Sequence, residues 1–546
     1  MPAATTTNDQ STTTNGGSGV AQLDHILTTF TTLTDPLAIN DALLVIEYSL
    51  QGPQATAQTT QKVLSSIPLG YFFTVLQQDY GYDTEQTIDR TCHILELLLK
   101  DQAYSTLIQD EFMVVALSQA LDSPSPRVRA LGLSQVDKIS EEDLPVLRTL
   151  LMSPVFKAVV GGIGSGSISI AERSKKTLLK LCDTQERLEA VINNTEAFTQ
   201  IKDLTNSRDS IVQLRMIEAL TELASKSSET TALLETKSLL DSLKSGLTST
   251  DILTRFNILE ILAEFGTTLS GSEFLDHSGV LARIGQVVEN EASQDSLGLN
   301  AIVKLYGKLG AAEQVDFVSL DMKYQILGQL ERLLVGDDEY EPDESSKVEV
   351  MSAIGLIGGN VQNVEWVSQS QCSEEFIVAL QSLPRDARVA WYHSLAQILA
   401  CSPDPSQETE RIISEFYTRL DGDSHLQSPF VTRLLTSAKS QSQELAMSAL
   451  SVMIPLAHYA FGVQKLATQR DVLTFLMDRN AEQSHSEKVA KHEVIVAMLT
   501  TAEEAKSSSG ADLLTADQVS RLDLHRRQGP FYQRATATVS IQDITA

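Results

Sequence analysis

A helical pattern that returns every 41 or 42 residues constrains this chain more than any other feature. The segments Val128–Ile139, Ile170–Leu181, Val212–Leu223 and Leu253–Glu264 superimpose. Each opens on an apolar residue (Val128, Ile170, Val212, Leu253) and carries another eight positions on (Val136, Leu178, Leu220, Ile261). The first three add one at eleven: Ile139, Leu181 and Leu223. In the fourth that place is Glu264 with Phe265 beside it, so the register slips slightly. Offsets of eight and eleven fall on one face of a helix with about 3.6 residues per turn. A helix repeated at this spacing predicts an all-α, curved solenoid of armadillo/HEAT-like repeats, whose period is about 40–47 residues. Such a fold is a binding surface rather than a catalytic cleft.

The repeat argues for one elongated body, in which each unit contacts only its neighbours, over the three or four domains that 546 residues suggest by length. With 42% hydrophobic residues a large core is within reach. Residues 1–20 are rich in Thr, Asn, Ser and Gly and are expected to form a disordered tail. The repeats are expected over 21–528, and an extended tail over 529–546. Breaks such as Asp122-Ser123-Pro124-Ser125-Pro126, Ser402-Pro403-Asp404-Pro405 and Asp421-Gly422-Asp423-Ser424 end helices and seat the next N-cap. The acidic stretch near 336–346 reads as a solvated connection between two halves of the solenoid, or as a contact for a basic partner. Beyond it Val348 and Leu356 keep the eight-residue offset, and Leu445, Met453 and Leu456 keep both offsets.

The net charge of -29 argues against nucleic acid and against anionic membranes, and favours partners with basic surfaces. The four cysteines, Cys92, Cys182, Cys372 and Cys401, lie far apart with no C-x-x-C pair, so they read as packing residues. With no apolar leader and no apolar run of about 18 residues, a soluble protein of the cytoplasm or nucleus is expected.

Catalytic and cofactor motifs fail one by one. His492-Glu493 lacks the second His that H-E-x-x-H needs, since position 496 is Val496. Gly161-Gly162-Ile163-Gly164-Ser165-Gly166 lacks the Gly-Lys-Ser/Thr of a phosphate loop, and Gly307-Lys308 is followed by Leu309. No G-x-S-x-G elbow occurs. An enzyme is not expected, nor a cofactor or metal. Arg129, Arg215 and Arg255 follow the apolar anchors and suit a role in holding a carboxylate or carbonyl in the next repeat, or else partner contact. Glu218, Glu222, Glu260 and Glu264 lie on the same helices and could form an acidic strip, against the plainer reading of a solvated face. Glu218, Glu222, Glu260, Glu264, Arg215 and Arg255 are therefore the candidate partner-binding residues.

Several blocks resemble the 26S proteasome non-ATPase regulatory subunit 5 family: Ser125–Val136, Leu247–Leu262, Ala353–Val361, Phe475–Arg479 with Lys491–Val494, and Gly529–Tyr532. They occur in the family's order between about Leu69 and Tyr532, and that collinearity says more than any one block. The Thr-rich start departs from the family. The resemblance implies a chaperone for assembly of the proteasome regulatory particle base. It would bind the C-terminal domains of particular AAA ATPase subunits and other base assembly intermediates, and keep the immature ring from docking on the core particle. A monomer is expected when the chain is alone. The alternative is a generic armadillo/HEAT adaptor or transport scaffold. Only two tryptophans, Trp366 and Trp391, and no ladder of Asn argue against a groove for basic peptides.

Overall fold

The computed structural model describes residues 16–51, 56–78, 80, 84–291, 296–338, 340–422, 429–479 and 484–532. Residues 1–15 and 533–546, most of the two expected tails, lie outside them, and Gly16–Thr29 is helical. The described residues form helices joined by short turns, with no strand. No single helix among them is long and apolar enough to cross a membrane. Helix starts are locally encoded. The side chains of Thr184, Asn194 and Asp343 accept from the backbone amides of Arg187, Ala197 and Ser346, and Thr515 and Gln518 form a capping box. Pro126 and Pro154 sit in a first turn, where no amide hydrogen is needed.

Each repeat has three helices, as in Gln185–Asn193, Thr195–Thr205 and Ser210–Ala224. The third is the longest in most repeats, and the four aligned segments fall in third helices that begin at Pro126, Ile168, Ser210 and Ile252, with Val128–Ile139 running on past Val136 into a 3-10 turn. The chain divides into two compact units: Met1–Leu223 with Leu233–Ser242, and Ala224–Ala232 with Leu243–Ala546. In the first unit the third helices Pro36–Gln51, Thr84–Leu99, Pro126–Val136 and Ile168–Leu181 stack in order. In the second, Ile252–Gly266, Ser296–Ala311, Glu344–Gly358, Arg385–Leu399, Gln443–Leu456 and His485–Ser509 do the same. The second helices make a parallel row, such as Val280–Glu291, Ile326–Val335 and Gln371–Ala379. The core lies between the rows.

Val128, Val136, Ile139, Ile170, Leu178, Leu181, Leu220, Leu223, Leu445, Met453 and Leu456 are buried, as the periodicity predicts, and Val212 is half-buried. The fourth segment departs from it. Leu253 is 65% exposed and Ile261 only half-buried, while Leu262 and Phe265 are buried. The 42-residue step in fact holds, with Thr254 at the anchor position; taking Leu253 as the anchor shifted the face by one residue. Of the later pair, Val348 is half-buried and Leu356 is misplaced. Leu356 is exposed, and Ile354 and Ile357 carry the core contacts of that helix.

Glycines set how closely the third helices of the second unit approach. A Cβ on Gly310 would lie 2.5 Å from Ile357 Cγ1, and one on Gly355 would lie 2.6 Å from Ser394 Cα, a backbone atom that cannot swing away. The carbonyl of Gly310, at the end of its helix, accepts from Asn360 Nδ2 at 3.1 Å and Asn363 Nδ2 at 2.8 Å. Ala353–Val361 is thus a repeat-to-repeat packing element, and Gly307 belongs to the same contact rather than to a phosphate loop, with a Cβ there 3.1 Å from Ala353 Cα. The acidic stretch does not separate two halves of the chain. It lies within the second unit and joins the second helix of one repeat, Ile326–Val335, to the third, Glu344–Gly358. Asp337 pairs with Arg332, buried Tyr340 and Asp337 exchange hydrogen bonds, and Asp343 caps the next helix.

Two pairs of substitutions test this packing. Gly355→Ala should destabilise by about 1–3 kcal/mol through overpacking. Gly161→Ala, with nothing within 4 Å, should be neutral or gain about 0.5–1 kcal/mol of helix propensity. Leu262→Ala should cost about 2–5 kcal/mol, and Leu253→Ala should change little. Denaturant titration followed by helical circular dichroism reads all four, and equal losses at Leu253 and Leu262 would overturn the register.

Candidate functional site

The candidate partner-binding residues fall on two third helices, Ser210–Ala224, in the first unit but for its last residue, and Ile252–Gly266 in the second. Their arginines are turned to structural work. Arg215 Nη1 donates to the carbonyls of Ile163 at 3.2 Å and Ser165 at 2.8 Å. Arg129 Nη1 donates to Ser165 Oγ at 3.1 Å. The glycine-rich turn after Pro154–Gly162 is therefore gripped by one arginine from the repeat before it and one from the repeat after it. Its carbonyls meet the Arg215 guanidinium, the reverse of a phosphate cradle, which presents amides. Arg255 Nη1 donates to the Ser249 carbonyl at 2.9 Å, just before its own helix.

The glutamates divide into two kinds. Glu218 pairs with the buried Lys175 at 3.2 Å, one repeat back, and Glu264 pairs with Lys308, one repeat on. Glu222 is exposed and Glu260 half-buried, and neither makes an ion pair among the described residues. Pairing one repeat apart recurs within both units. In the first, Arg90 meets Glu47 at 3.1 Å and Lys180 meets Asp137 at 2.8 Å. In the second, Lys323 meets Asp276 at 2.6 Å and Lys465 meets Asp421 at 2.7 Å. Each exposed pair contributes about 0–1 kcal/mol. Their regular spacing nevertheless places many of the scarce cations beside carboxylates of the adjacent repeat.

The sequence motif at Lys491-His492 leads to a cluster between the last helices. Lys491 is buried, donates to the Asp478 carbonyl at 2.6 Å and stands over the Phe475 ring at 4.1 Å. Burial holds its ammonium down to about 8, against the pull of Asp478, and Lys439 adds to the lowering. His492 is half-buried, with its ring 5.9 Å from that of His525. His525 is 5% exposed, and neither of its ring nitrogens has a hydrogen-bond partner. Arg479 donates to the carbonyls of Gly529 at 3.2 Å and His525 at 3.3 Å, and lies against the Tyr532 ring. Desolvation, then Arg479, His492 and Lys491, push His525 down to about 4. The resembling blocks Phe475–Arg479, Lys491–Val494 and Gly529–Tyr532 thus come together as the packing of the last helix. No group of three or more His, Cys, Asp or Glu fit to hold a metal occurs among the described residues. The four cysteines are buried and joined in no disulfide, and burial pushes the Cys92 thiol up to about 12.

A family model described as proteasome non-ATPase 26S subunit matches residues 37–545. The chain is 23% identical to the 26S proteasome non-ATPase regulatory subunit 5 of Bos taurus over 521 residues, covering 92% of this chain and 98% of that protein. The Homo sapiens protein of that name is 23% identical with the same coverage, and the Drosophila melanogaster one 21% identical over 84% of this chain and 85% of its own length. Among solved structures, Kap121p bound to Pho4p shares the helical-repeat fold, with a TM-score of 0.55 and 12% identity. The likeness covers 94% of this chain but only 51% of Kap121p, about half its length.

Neutral His525 is favoured in the fold and protonation is favoured in the unfolded chain. The folded value lies below the unfolded one, so stability is held above about 6.5 and falls as the pH drops from there toward about 4. Melting temperature measured across this window should decline on acidification, and His525→Gln should flatten the decline. An unchanged slope in that variant would remove His525 as its source.

Proposed function

The chain belongs to the proteasome non-ATPase 26S subunit family, and from that premise we propose that it is a chaperone for assembly of the proteasome regulatory particle base. In this reading it binds the C-terminal domains of particular AAA ATPase subunits, together with other base assembly intermediates, and blocks premature docking on the core particle. It acts by occlusion, as a monomer in the cytoplasm and nucleus, with no bond made or broken. The family match across nearly the whole chain carries the reading, because the relatives of similar length bear the name of a proteasome regulatory subunit.

Physical support comes from the repeats. Rows of helices offer a surface long enough for a standard interface of about 1,200–2,000 Å² in total. A net charge of -29 steers a basic patch toward that surface and speeds encounter. Among the candidate residues, Glu222 and Glu260 are the carboxylates with no ion pair to give up, so they suit contact with a basic partner best. Glu218 and Glu264 contribute to the field while paired, and Arg215 and Arg255 support the helices that present all four.

Titration of the purified chain against each isolated ATPase C-terminal domain of the base, at low and moderate salt, tests the proposal. Tight binding to one or two domains, weakened by salt, is expected. Replacing Glu222 and Glu260 by Lys should weaken capture with helicity unchanged. Binding to none of the domains by a folded chain would overturn the chaperone reading in favour of a general helical-repeat adaptor. Unchanged affinity of the double variant at both salt levels would remove the acidic residues from the interface.

A further inference from the structure

In the second unit, the second helices Ile326–Val335 and Gln371–Ala379 pack side by side. On one flank of this pair opens a cavity of about 550 Å³ bounded by Trp366, Met322, Gln325 and Glu331. The Trp366 ring is held in place. Its Nε1 donates to Asp321 Oδ2 at 2.7 Å, and Asp321 Oδ1 accepts from the Leu327 amide at 2.7 Å. Asp321 is therefore spent on structure, leaving the faces of the indole for other contacts. Trp366 is 36% exposed and Met322 63%, both large for surface positions, whereas Trp391 is fully buried with its indole donating to Phe376 O.

Glu331 lines the same cavity and makes no hydrogen bond or ion pair among the described residues. No lysine or arginine lines the cavity. Burial, and then the neighbouring Glu375 carboxylate, push the Glu331 carboxyl up. Glu375 lines a second cavity, of about 330 Å³, on the other flank of the same helices, beside the exposed Val335 and Val378. Two like charges thus share one helix pair, and the one in the larger cavity lacks a counter-cation. A carboxylate in a half-buried site is costly without an opposite charge. An aromatic face beside it suits a guanidinium, which stacks flat on the ring while its N–H groups reach the carboxylate. Met322 gives an apolar rest for the aliphatic stem.

We propose that the Trp366–Glu331 cavity receives an arginine side chain presented by a protein partner. Trp366 supplies the stacking face, Glu331 the ionic contact and Met322 the wall against the stem. The inference rests on the preceding reading only in taking a protein as the partner, and it holds for any partner with an exposed arginine.

The test uses the full chain labelled with 5-fluorotryptophan. Its two tryptophans give two fluorine resonances, assigned with Trp366→Phe. The probe is N-acetyl-arginine methylamide, with N-acetyl-citrulline methylamide as the uncharged isostere. The arginine probe should shift the Trp366 resonance saturably in the millimolar range, since a lone side chain has few atoms to bind with. The Trp391 resonance should stay in place. Glu331→Gln should abolish the shift, as should Met322→Lys, which sets a cation at an exposed position of the rim. No saturable shift, or an equal shift with citrulline, overturns the proposal. No saturable shift in a chain that does bind an ATPase domain overturns the proposal while leaving the chaperone reading intact. An arginine-specific shift in a chain that binds no ATPase domain supports the cavity and counts against that reading.

Discussion

The fold depends on the contact between successive third helices. No single repeat can bury the apolar face of its third helix, so each takes its core from the repeat beside it. In the second unit this contact is close enough to require glycine. Gly310 faces Ile357, and Gly355 faces the backbone of Ser394. The asparagines that follow, Asn360 and Asn363, close the carbonyl left open at the end of the preceding helix. Apolar burial and hydrogen bonding thus operate across the same joint, and local damage there reaches two repeats at once.

The electrostatics follow the same neighbour rule. A chain with 71 acidic and 42 basic residues has too few cations to match its carboxylates. Several of those it has are used one repeat away, as in Lys175 with Glu218 and Lys308 with Glu264. What remains for a partner is the surplus, exemplified by Glu222, Glu260 and Glu331. Surplus charge of this kind sets encounter rate and salt sensitivity, while shape and buried side chains set how long a complex lasts.

Much of the repeat was legible from spacing alone, because helical periodicity is a local property of the chain. The anchors from Val128 to Leu223, the half-buried Val212 apart, and from Leu445 to Leu456 lie in the core where the pattern places them. The failures are local too. Thr254 occupies an anchor position, so an apolar template slid to the exposed Leu253. In Glu344–Gly358 the glycines that carry the contact have no hydropathy to register. The roles of Arg215 and Arg129 were readable only as a choice between alternatives, since their partners lie in other repeats. Trp366 gave no sign beyond being one of two tryptophans. Its exposure, and the lack of a cation beside Glu331, follow from how distant segments meet.

The position of the acidic stretch bears on how such a chain tolerates change in length. The third helices begin at Pro126, Ile168, Ser210 and Ile252 at a constant step, yet Ser296 and Glu344 stand 48 residues apart and still stack. The largest share of the added residues lies between the second and third helices, eight from 336 to 343 against four from 206 to 209, where Asp337, Tyr340 and Asp343 hold a capped turn. Insertions at this junction leave the helix row in register. Such a junction can be lengthened without shifting the stacked helices, so long as buried Tyr340 keeps its place.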